Sequence, residues 1–138
     1  MTQSAKVLYT GKVRTKGGRD GASRSSDGRL DVKLSTPGTP GSGTNPEQLF
    51  AAGWSACFEG ALDLAARAMK ITPHIDPVID AEVDLNTGEG GYFLRARLSV
   101  SLPGLERDVA QRLIETAHRT CPYSKATRGN VEVAIELV

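Results

Sequence analysis

Two stretches of alternating residues, 78–85 and 92–102, constrain the fold more than any other feature of the sequence. Apolar and polar side chains alternate along both stretches, and the connecting segment 86–91 contains three glycines. A repeat of two residues is typical of a strand with one buried face, and a glycine-rich connection is typical of a hairpin. The sequence therefore predicts an antiparallel β-hairpin in this part of the chain.

Charges on the two stretches predict how the strands align. Opposite charges stabilise residues that face each other, and burial of one face makes a shift by one residue costly. The alignment that satisfies both conditions pairs Leu85 with Tyr92, Val83 with Leu94, Glu82 with Arg95, Ala81 with Ala96 and Asp80 with Arg97. We expect the charged side chains to form a solvated face without a role in chemistry.

Residues 46–70 are predicted to form one long helix. Asn45 can cap this helix, and Pro46 suits its first position. Glu47 in the first turn interacts favourably with the positive end of the helix dipole. Pro73 is expected to stop the helix, because proline cannot continue its hydrogen bonding.

Small residues line one side of this helix, at Gly53, Ala56 and Gly60. Glycine costs roughly 1 kcal/mol inside a helix, so its presence here needs a compensating reason. We favour close packing against a second helix as that reason. A local kink is the alternative.

The remaining elements complete an α+β pattern: N-terminal antiparallel strands, the long central helix, the β-hairpin, a second helix and a C-terminal strand. A glycine-rich turn is expected at 17–21 and a loop at 35–44. An amphipathic helix is predicted over 106–119, and Pro122 ends it by keeping Cys121 out of helical geometry. The other strands are predicted at 6–14, from 22 to the turn at 26–28, at 30–34 with one buried face, and at 131–138.

The chain length of 138 residues is that of one domain, residues 1–138, with a sizeable core. The formal net charge of +1 gives no sign of attraction to nucleic acid or to an anionic membrane. The first residues contain no apolar run of signal-peptide length, and no stretch approaches a membrane span. We therefore expect a cytoplasmic protein that binds neither nucleic acid nor membrane.

The chain contains two cysteines, Cys57 and Cys121. In a reducing compartment a cysteine pair more often indicates catalysis, redox sensing or metal binding than a structural disulfide, and two inert buried thiols are the plainer alternative. A metal site would use both cysteines with His118 and His74, and a cysteine hydrolase would need His118 beside Cys57. A ligand carrier with an apolar pocket is a third alternative, and it would not depend on Cys57.

Cys57 falls within the long helix, about three turns after its start. The helix dipole fades within the first turn and burial favours the neutral thiol, so a reactive thiolate there needs a nearby cation. Arg67 lies roughly 15 Å further along the same helix, which is too far. Arg19 in its glycine-rich turn is the best-placed candidate, although a solvated turn arginine is an equally good interpretation of the turn alone.

Several segments resemble one known family, and together they span nearly the whole chain in order. The sequence TNPEQLFAAGWSACF at 44–58 is similar to the organic hydroperoxide resistance family, a branch of the osmotically inducible protein C superfamily. The segments that resemble the same family are GGRDG at 17–21, LDVKLS at 30–35, LPGLER at 102–107 and CPYSKATRGN at 121–130. A resemblance of this length is far more specific than a pair of cysteines.

The resemblance implies a thiol-dependent peroxidase that reduces organic hydroperoxides without a cofactor or a metal. Cys57 matches the attacking cysteine of the family, and Cys121 matches the resolving cysteine. Arg19 matches the arginine that holds the thiolate, and Glu47 the glutamate that orients this arginine. Cys57 would become a sulfenic acid and then form a disulfide with Cys121. Trp54 departs from the family, in which tyrosine is commoner at this position.

The resemblance also implies partners. The family forms an intertwined homodimer with active sites at the subunit interface. It prefers apolar hydroperoxides, including lipid-derived ones, and takes electrons from dihydrolipoyl groups of partner proteins. On a straight helix Glu47 lies roughly 15 Å from Cys57. We therefore expect Glu47 and Arg19 to serve the Cys57 of the opposite subunit.

Overall fold

Three short strands form an antiparallel sheet near the N-terminus of the computed structural model, which describes residues 4–71 and 75–138. In sheet order they are β1 (Val13–Lys16), β2 (Ala22–Ser25) and β3 (Asp31–Lys33). They belong to the first of the two units into which the chain divides, Met1–Pro46 and Glu47–Val138. That residues 1–138 form a single domain stays a prediction.

A turn of 3-10 helix, Gly18–Asp20, connects β1 to β2. The two glycines that precede Arg19 adopt φ angles of 81° and 59°, in the left-handed region that favours glycine. A Cβ atom on Gly21 would lie 1.7 Å from the carbonyl oxygen of Lys16, so no larger residue fits this position. The glycine-rich turn predicted at 17–21 is confirmed.

The first strand lies further along the chain than residues 6–14, where the sequence predicts it. Its ladder with β2 runs from the pair Val13–Ser25 to the pair Lys16–Ala22. Because β2 has only four residues, it offers no pairing positions for a longer β1. The part of the predicted strand before Val13 therefore lies outside the sheet.

The third strand confirms the prediction for residues 30–34, including its buried face. The apolar residues of the alternation are buried or half-buried, whereas the charged residues Asp31 and Lys33 are exposed. The loop predicted at 35–44 contains no helix or strand, and an isolated bridge joins Leu34 to Thr44.

The second unit contains a mixed sheet. In sheet order its strands are β4 (Val78–Gly88), β5 (Gly91–Ser101) and β6 (Glu132–Leu137). The first two form an antiparallel hairpin, and the C-terminal strand β6 runs parallel to β5. The hairpin and the final strand are both confirmed.

The predicted alignment of the hairpin is wrong by two residues, because Leu85 pairs with Leu94 and not with Tyr92. Pairing continues as far as Gly88 and Gly91, so the turn is shorter than the six residues assigned to it. A shift by two residues leaves every side chain on its predicted face. The solvated charged face is therefore correct, but its facing pairs are Glu82–Arg97 and Asp84–Arg95.

The long helix is α1 (Pro46–Ala68). It ends slightly before residue 70, because Lys70 adopts a left-handed φ of 56°. The N–H of Ile71 then donates to the carbonyl oxygen of Ala66 at 3.0 Å, which satisfies one of the last free carbonyls of the helix. The predicted stop at Pro73 lies outside the described residues.

Two further helices follow the hairpin. α2 (Arg107–Thr120) confirms the second predicted helix, whereas α3 (Pro122–Thr127) has no counterpart among the predicted elements. The core of the second unit combines side chains from α1, α2 and β5. Its largest fully buried apolar side chains are Trp54, Phe58, Leu62, Leu98, Val100 and Leu113. Burial of each such side chain contributes roughly 1.5–3 kcal/mol to the free energy of folding.

The order of elements confirms the α+β fold class and the strand–helix–hairpin–helix–strand arrangement. Within the described residues, no helix combines the length and the apolar character that a membrane crossing requires. The intertwined homodimer stays a prediction.

Candidate active site

The two cysteines meet inside the second unit. Cys57 lies in the middle of α1, and Cys121 lies between α2 and α3. Both are free thiols, and their sulfur atoms are 3.5 Å apart. Cys57 is partly exposed, whereas Cys121 has no exposed surface. The fold thus brings one accessible thiol and one buried thiol into contact, although 64 residues separate them in the sequence.

Pro122 explains how Cys121 reaches this position. A residue before proline is pushed toward extended geometry, and Cys121 has φ −60° and ψ 122°. Its N–H still donates to the carbonyl oxygen of Ala117 at 2.8 Å, so it closes α2 while the next helix begins. The predicted end of the second helix is confirmed, and the resulting corner directs the Cys121 side chain toward α1.

The surroundings of Cys57 act on its protonation in opposite directions. Burial raises the pKa of the Cys57 thiol above its ordinary value, and the neighbouring Cys121 thiol raises it further. A hydrogen bond from the backbone N–H of Tyr123 lowers the pKa by stabilising the thiolate, but the net shift is upward. These contacts favour the neutral thiol, so formation of the thiolate requires additional positive charge.

Aromatic side chains lie next to the thiol pair. Phe50 stacks on Trp54 with ring centroids 5.7 Å apart, and its centroid lies 6.4 Å from that of Tyr123. Gly53 makes this arrangement possible, because a Cβ atom there would lie 2.9 Å from the Tyr123 hydroxyl oxygen. The close neighbour of Gly53 is thus a side chain, and close packing of the small residues against the backbone of a second helix stays a prediction. A Cβ atom on Gly60 would have no neighbour within 4 Å among the described residues.

A polar contact buried beside the thiols completes the site. The indole N–H of Trp54 donates to the hydroxyl oxygen of Ser124 at 3.2 Å. Sequence analysis identifies neither Ser124 nor Tyr123 as a site residue. Both residues lie in the six-residue segment directly after Cys121. This segment belongs to the block at 121–130 that resembles the family, and that resemblance is the signal that could have identified them.

Arg19 and Glu47, the other two predicted site residues, lie in different units. Arg19 is in the 3-10 turn of the first unit, and Glu47 is in the first turn of α1 in the second. Since α1 is continuous from Pro46 to Ala68, Glu47 and Cys57 are roughly 15 Å apart along one helix. Their catalytic roles stay predictions.

The histidines bear on the alternative chemistries. His118 lies on α2, and burial lowers its pKa, with Arg128 lowering it further. Its Nδ1 atom is buried and has no hydrogen-bond partner in the part of the chain that the structure describes. His74 lies outside the described residues. Across residues 4–71 and 75–138, no group of three or more His, Cys, Asp or Glu side chains is arranged to hold a metal ion.

Comparison with known proteins places this site in a family. The family model of OsmC-like proteins matches residues 38–136. The organic hydroperoxide resistance protein of Xanthomonas axonopodis pv. citri is 45% identical over 141 residues, which cover 99% of each protein. The organic hydroperoxide resistance protein OhrB of Bacillus subtilis is 47% identical over 136 residues, which cover 95% of this chain and 98% of that protein.

The fold agrees with these sequence matches. The crystal structure of OhrB from Bacillus subtilis superposes with a TM-score of 0.90, covering 96% of this chain and 100% of that chain. An organic hydroperoxide resistance protein from Legionella pneumophila, 42% identical, also superposes with a TM-score of 0.90. The chain therefore belongs to the OsmC-like family and, within it, to the organic hydroperoxide resistance proteins, which are cysteine-based peroxidases.

Proposed function

We propose that this protein reduces organic hydroperoxides to alcohols, with Cys57 as the attacking thiol and Cys121 as the resolving thiol. The observation that carries the proposal is the contact of 3.5 Å between one partly exposed and one fully buried sulfur. The names of its relatives support the substrate class, since they are organic hydroperoxide resistance proteins.

Cys57 performs the first step because it is the thiol that solvent and substrate can reach. Its thiolate attacks one peroxide oxygen, a sulfur–oxygen bond forms, and the oxygen–oxygen bond breaks. The other oxygen leaves as an alkoxide and takes up a proton to become the alcohol. Cys57 is left as a sulfenic acid, two electrons more oxidised than the thiol.

Cys121 performs the second step. Its sulfur attacks the sulfenic sulfur of Cys57, a disulfide bond forms, and the sulfenic hydroxyl leaves with a proton as water. This condensation protects Cys57 from a second peroxide, which would oxidise it irreversibly. The full burial of Cys121 supports this role, because a thiol without exposed surface does not meet the peroxide first.

A dithiol closes the cycle by reducing the disulfide through exchange. Since Cys121 has no exposed surface, the incoming thiolate attacks the sulfur of Cys57 and releases Cys121 as a thiol. The second thiol of the reductant then attacks the mixed disulfide and frees Cys57. A dihydrolipoyl group on a partner protein suits this task, because its two thiols lie at the end of a thin flexible arm.

Arg19, oriented by Glu47, provides the positive charge that the Cys57 thiolate needs. Burial favours the neutral thiol of Cys57, and a guanidinium offsets this effect because it stays charged when desolvated. Glu47 orients Arg19 through an ion pair. Because Glu47 lies roughly 15 Å along α1 from Cys57, both residues act on the Cys57 of the opposite subunit in a homodimer.

The surroundings of Cys57 favour apolar substrates. Phe50 is half-buried and Tyr123 is exposed, and hydrogen bonding by the backbone N–H of Tyr123 lowers the pKa of the Cys57 thiol. An alkyl or lipid-derived hydroperoxide gains from contact with such rings, whereas hydrogen peroxide has no apolar part to bind. A cycle that depends on reduced thiols fits the cytoplasm, where thiols are kept reduced.

Steady-state kinetics with dihydrolipoamide as reductant test this function. We expect a higher kcat/KM for cumene hydroperoxide than for hydrogen peroxide, and no turnover by Cys57→Ser. The Cys121→Ser variant should lose steady-state turnover, because its Cys57 sulfenic acid has no resolving thiol and is over-oxidised by excess peroxide. Turnover by Cys57→Ser, or hydrolysis of a p-nitrophenyl ester in place of peroxide reduction, would contradict the proposal.

A further inference from the structure

A buried hydrogen bond runs beside the contact between the two thiols. The indole N–H of Trp54 donates to Ser124 Oγ at 3.2 Å, and neither residue has exposed surface. Trp54 precedes Cys57 by three residues on α1, and Ser124 follows Cys121 by three residues on α3. The hydrogen bond and the sulfur contact therefore join the same two segments, less than one helical turn apart.

We propose that the Trp54–Ser124 hydrogen bond positions Cys121 for its reaction with the sulfenic acid of Cys57. This inference rests on the proposed peroxidase cycle and concerns its second step alone. Trp54 and Ser124 are positioning residues, because they act on the reaction through the place of Cys121.

The bond is suited to this role because both of its ends are buried. An indole N–H without exposed surface has no water to replace a lost partner, so separation of the two segments leaves it unpaired. The hydrogen bond therefore opposes movement of the start of α3 away from α1. Cys121 immediately precedes α3, and its position follows that of the helix.

Closure of the disulfide needs a short, well-directed movement. The two sulfurs are 3.5 Å apart and must approach to about 2 Å. The bond between the sulfenic sulfur and its oxygen breaks as the disulfide forms, and water is the only product released. Trp54 and Phe58 flank Cys57 on α1 and are fully buried. Cys121 and Ser124 are fully buried as well, so the two segments must keep their relative place for the sulfurs to meet. A displacement of about 1 Å in a reacting group can slow a reaction on the order of a hundredfold.

A sulfenic acid that waits for Cys121 is exposed to a second peroxide. Two products therefore compete at Cys57: the disulfide with Cys121, and the sulfinic acid from over-oxidation. At a given peroxide concentration, the ratio of sulfinic acid to disulfide therefore reports how fast the disulfide forms. A hydrogen bond that only stabilised the fold would change the melting temperature and leave this ratio unaltered.

The test uses Ser124→Ala, which removes only the hydroxyl group, Trp54→Phe, which removes the N–H, and the double variant. Each protein is mixed with excess cumene hydroperoxide without reductant, and mass spectrometry gives the ratio of sulfinic acid to disulfide. Ser55→Ala is the matched control, because the Ser55 hydroxyl bonds the carbonyl oxygen of Ala51 in its own helix at 2.7 Å.

We expect each single variant to raise the ratio of sulfinic acid to disulfide about tenfold or more. The double variant should raise the ratio of sulfinic acid to disulfide by less than the product of the two single effects, because both substitutions remove the same hydrogen bond. The rate of the first step should stay within about twofold of the wild type. The Ser55→Ala control should match the wild type in both measurements.

An unchanged ratio in folded Ser124→Ala overturns the positioning role, as do independent effects that multiply in the double variant. If Trp54→Phe fails to fold, Ser124→Ala decides the question, because it removes only one hydroxyl group from the core. If the wild type itself forms no disulfide, the proposed function fails. If the wild type forms the disulfide and Ser124→Ala forms it equally well, only the positioning role fails.

Discussion

The two units of the chain differ in charge and in burial. Residues 1–46 contain eight Lys and Arg against three Asp, a net charge of +5, whereas residues 47–138 contain nine Lys and Arg against 13 Asp and Glu, a net charge of −4. In the described part of the first unit, the buried residues are Ser23 and Leu34. The second unit contains the apolar core and both cysteines.

This contrast shows that a net charge of +1 is a sum of two opposite surpluses. Both cysteines lie in the unit with surplus carboxylates. Arg19, the predicted source of positive charge for a Cys57 thiolate, belongs to the unit with surplus cations. Substitutions in the second unit therefore test the sulfur chemistry, and substitutions in the first test the predicted role of the cation.

The largest effect is expected from the second unit. Cys57→Ser should lower peroxidase activity by on the order of a thousandfold or more, since it removes the attacking atom. Cys121→Ser should retain the first turnover, because Cys57 remains, and lose steady-state turnover. Stopped-flow consumption of cumene hydroperoxide separates the two steps. A Cys57→Ser variant with an intact first turnover would place the chemistry elsewhere.

The next effect is expected from the first unit. If Arg19 stabilises the Cys57 thiolate, Arg19→Ala removes a charge-assisted contact of roughly 1.5–3 kcal/mol and slows peroxide reduction about ten- to hundredfold. Burial raises the pKa of Cys57, so the variant should form its thiolate only at higher pH. The rate of alkylation of Cys57 against pH measures this shift in a Cys121→Ser background.

Arg29→Ala is the matched control for this experiment. Arg29 is an exposed arginine of the same unit, and it lies 3.9 Å from Asp27. Its alkylation profile should coincide with that of the parent protein. If the Arg19 and Arg29 variants give the same profile, the first unit contributes no specific charge to the thiol.

A smaller effect distinguishes a shared site from a site within one chain. A heterodimer of Cys57→Ser and Arg19→Ala chains, co-expressed and purified through two tags, has one intact site if Arg19 serves the opposite subunit. Activity should then return to about half of the wild type. A heterodimer without activity would mean that each chain builds its own site, or none.

The smallest effect is expected from the charged face of the β4–β5 hairpin. Arg97 bonds Glu82 at 2.8 Å and Asp84 at 2.7 Å, and its bond to Asp84 lowers the pKa of that carboxyl below its ordinary value of 3.8. A lowered carboxyl pKa stabilises the fold at pH values above the ordinary one, and this contribution is lost as the pH falls through the folded-state value.

Arg97→Gln should therefore lower the melting temperature slightly at neutral pH, and the difference from the wild type should disappear in acid. Peroxidase activity should stay unchanged, because the side chains are exposed and carry no chemistry. Arg112→Gln, on the exposed side of α2, serves as the control, because Arg112 forms no ion pair with any residue that the structure describes. A large loss of peroxidase activity in Arg97→Gln would show that this face does contribute to the site.

The sequence predicts the elements of this fold well, because most of them follow from local patterns. Alternation identifies the hairpin and the final strand, and Pro122 identifies the end of α2. The alignment of the hairpin could not be decided from these patterns. A shift by two residues preserves both faces and still opposes unlike charges, so only the length of the turn separates the two alignments.

Other features depend on contacts that no local pattern records. α3 has only six residues, too few to show helical periodicity, and its residues Tyr123 and Ser124 reach the site by folding against α1. The parallel pairing of β6 with β5 and the contact between the two thiols also join distant segments. The family resemblance predicts that Cys57 and Cys121 act as a pair, but only the fold gives their distance and their unequal burial.

The most direct test of the central claim is the oxidised state of the wild-type protein after one equivalent of cumene hydroperoxide. Mass spectrometry of tryptic peptides under non-reducing conditions should recover the Cys57 and Cys121 peptides joined by a disulfide, with no free thiol left and no covalent dimer. A stable sulfenic acid on Cys57 with Cys121 still reduced would contradict the account.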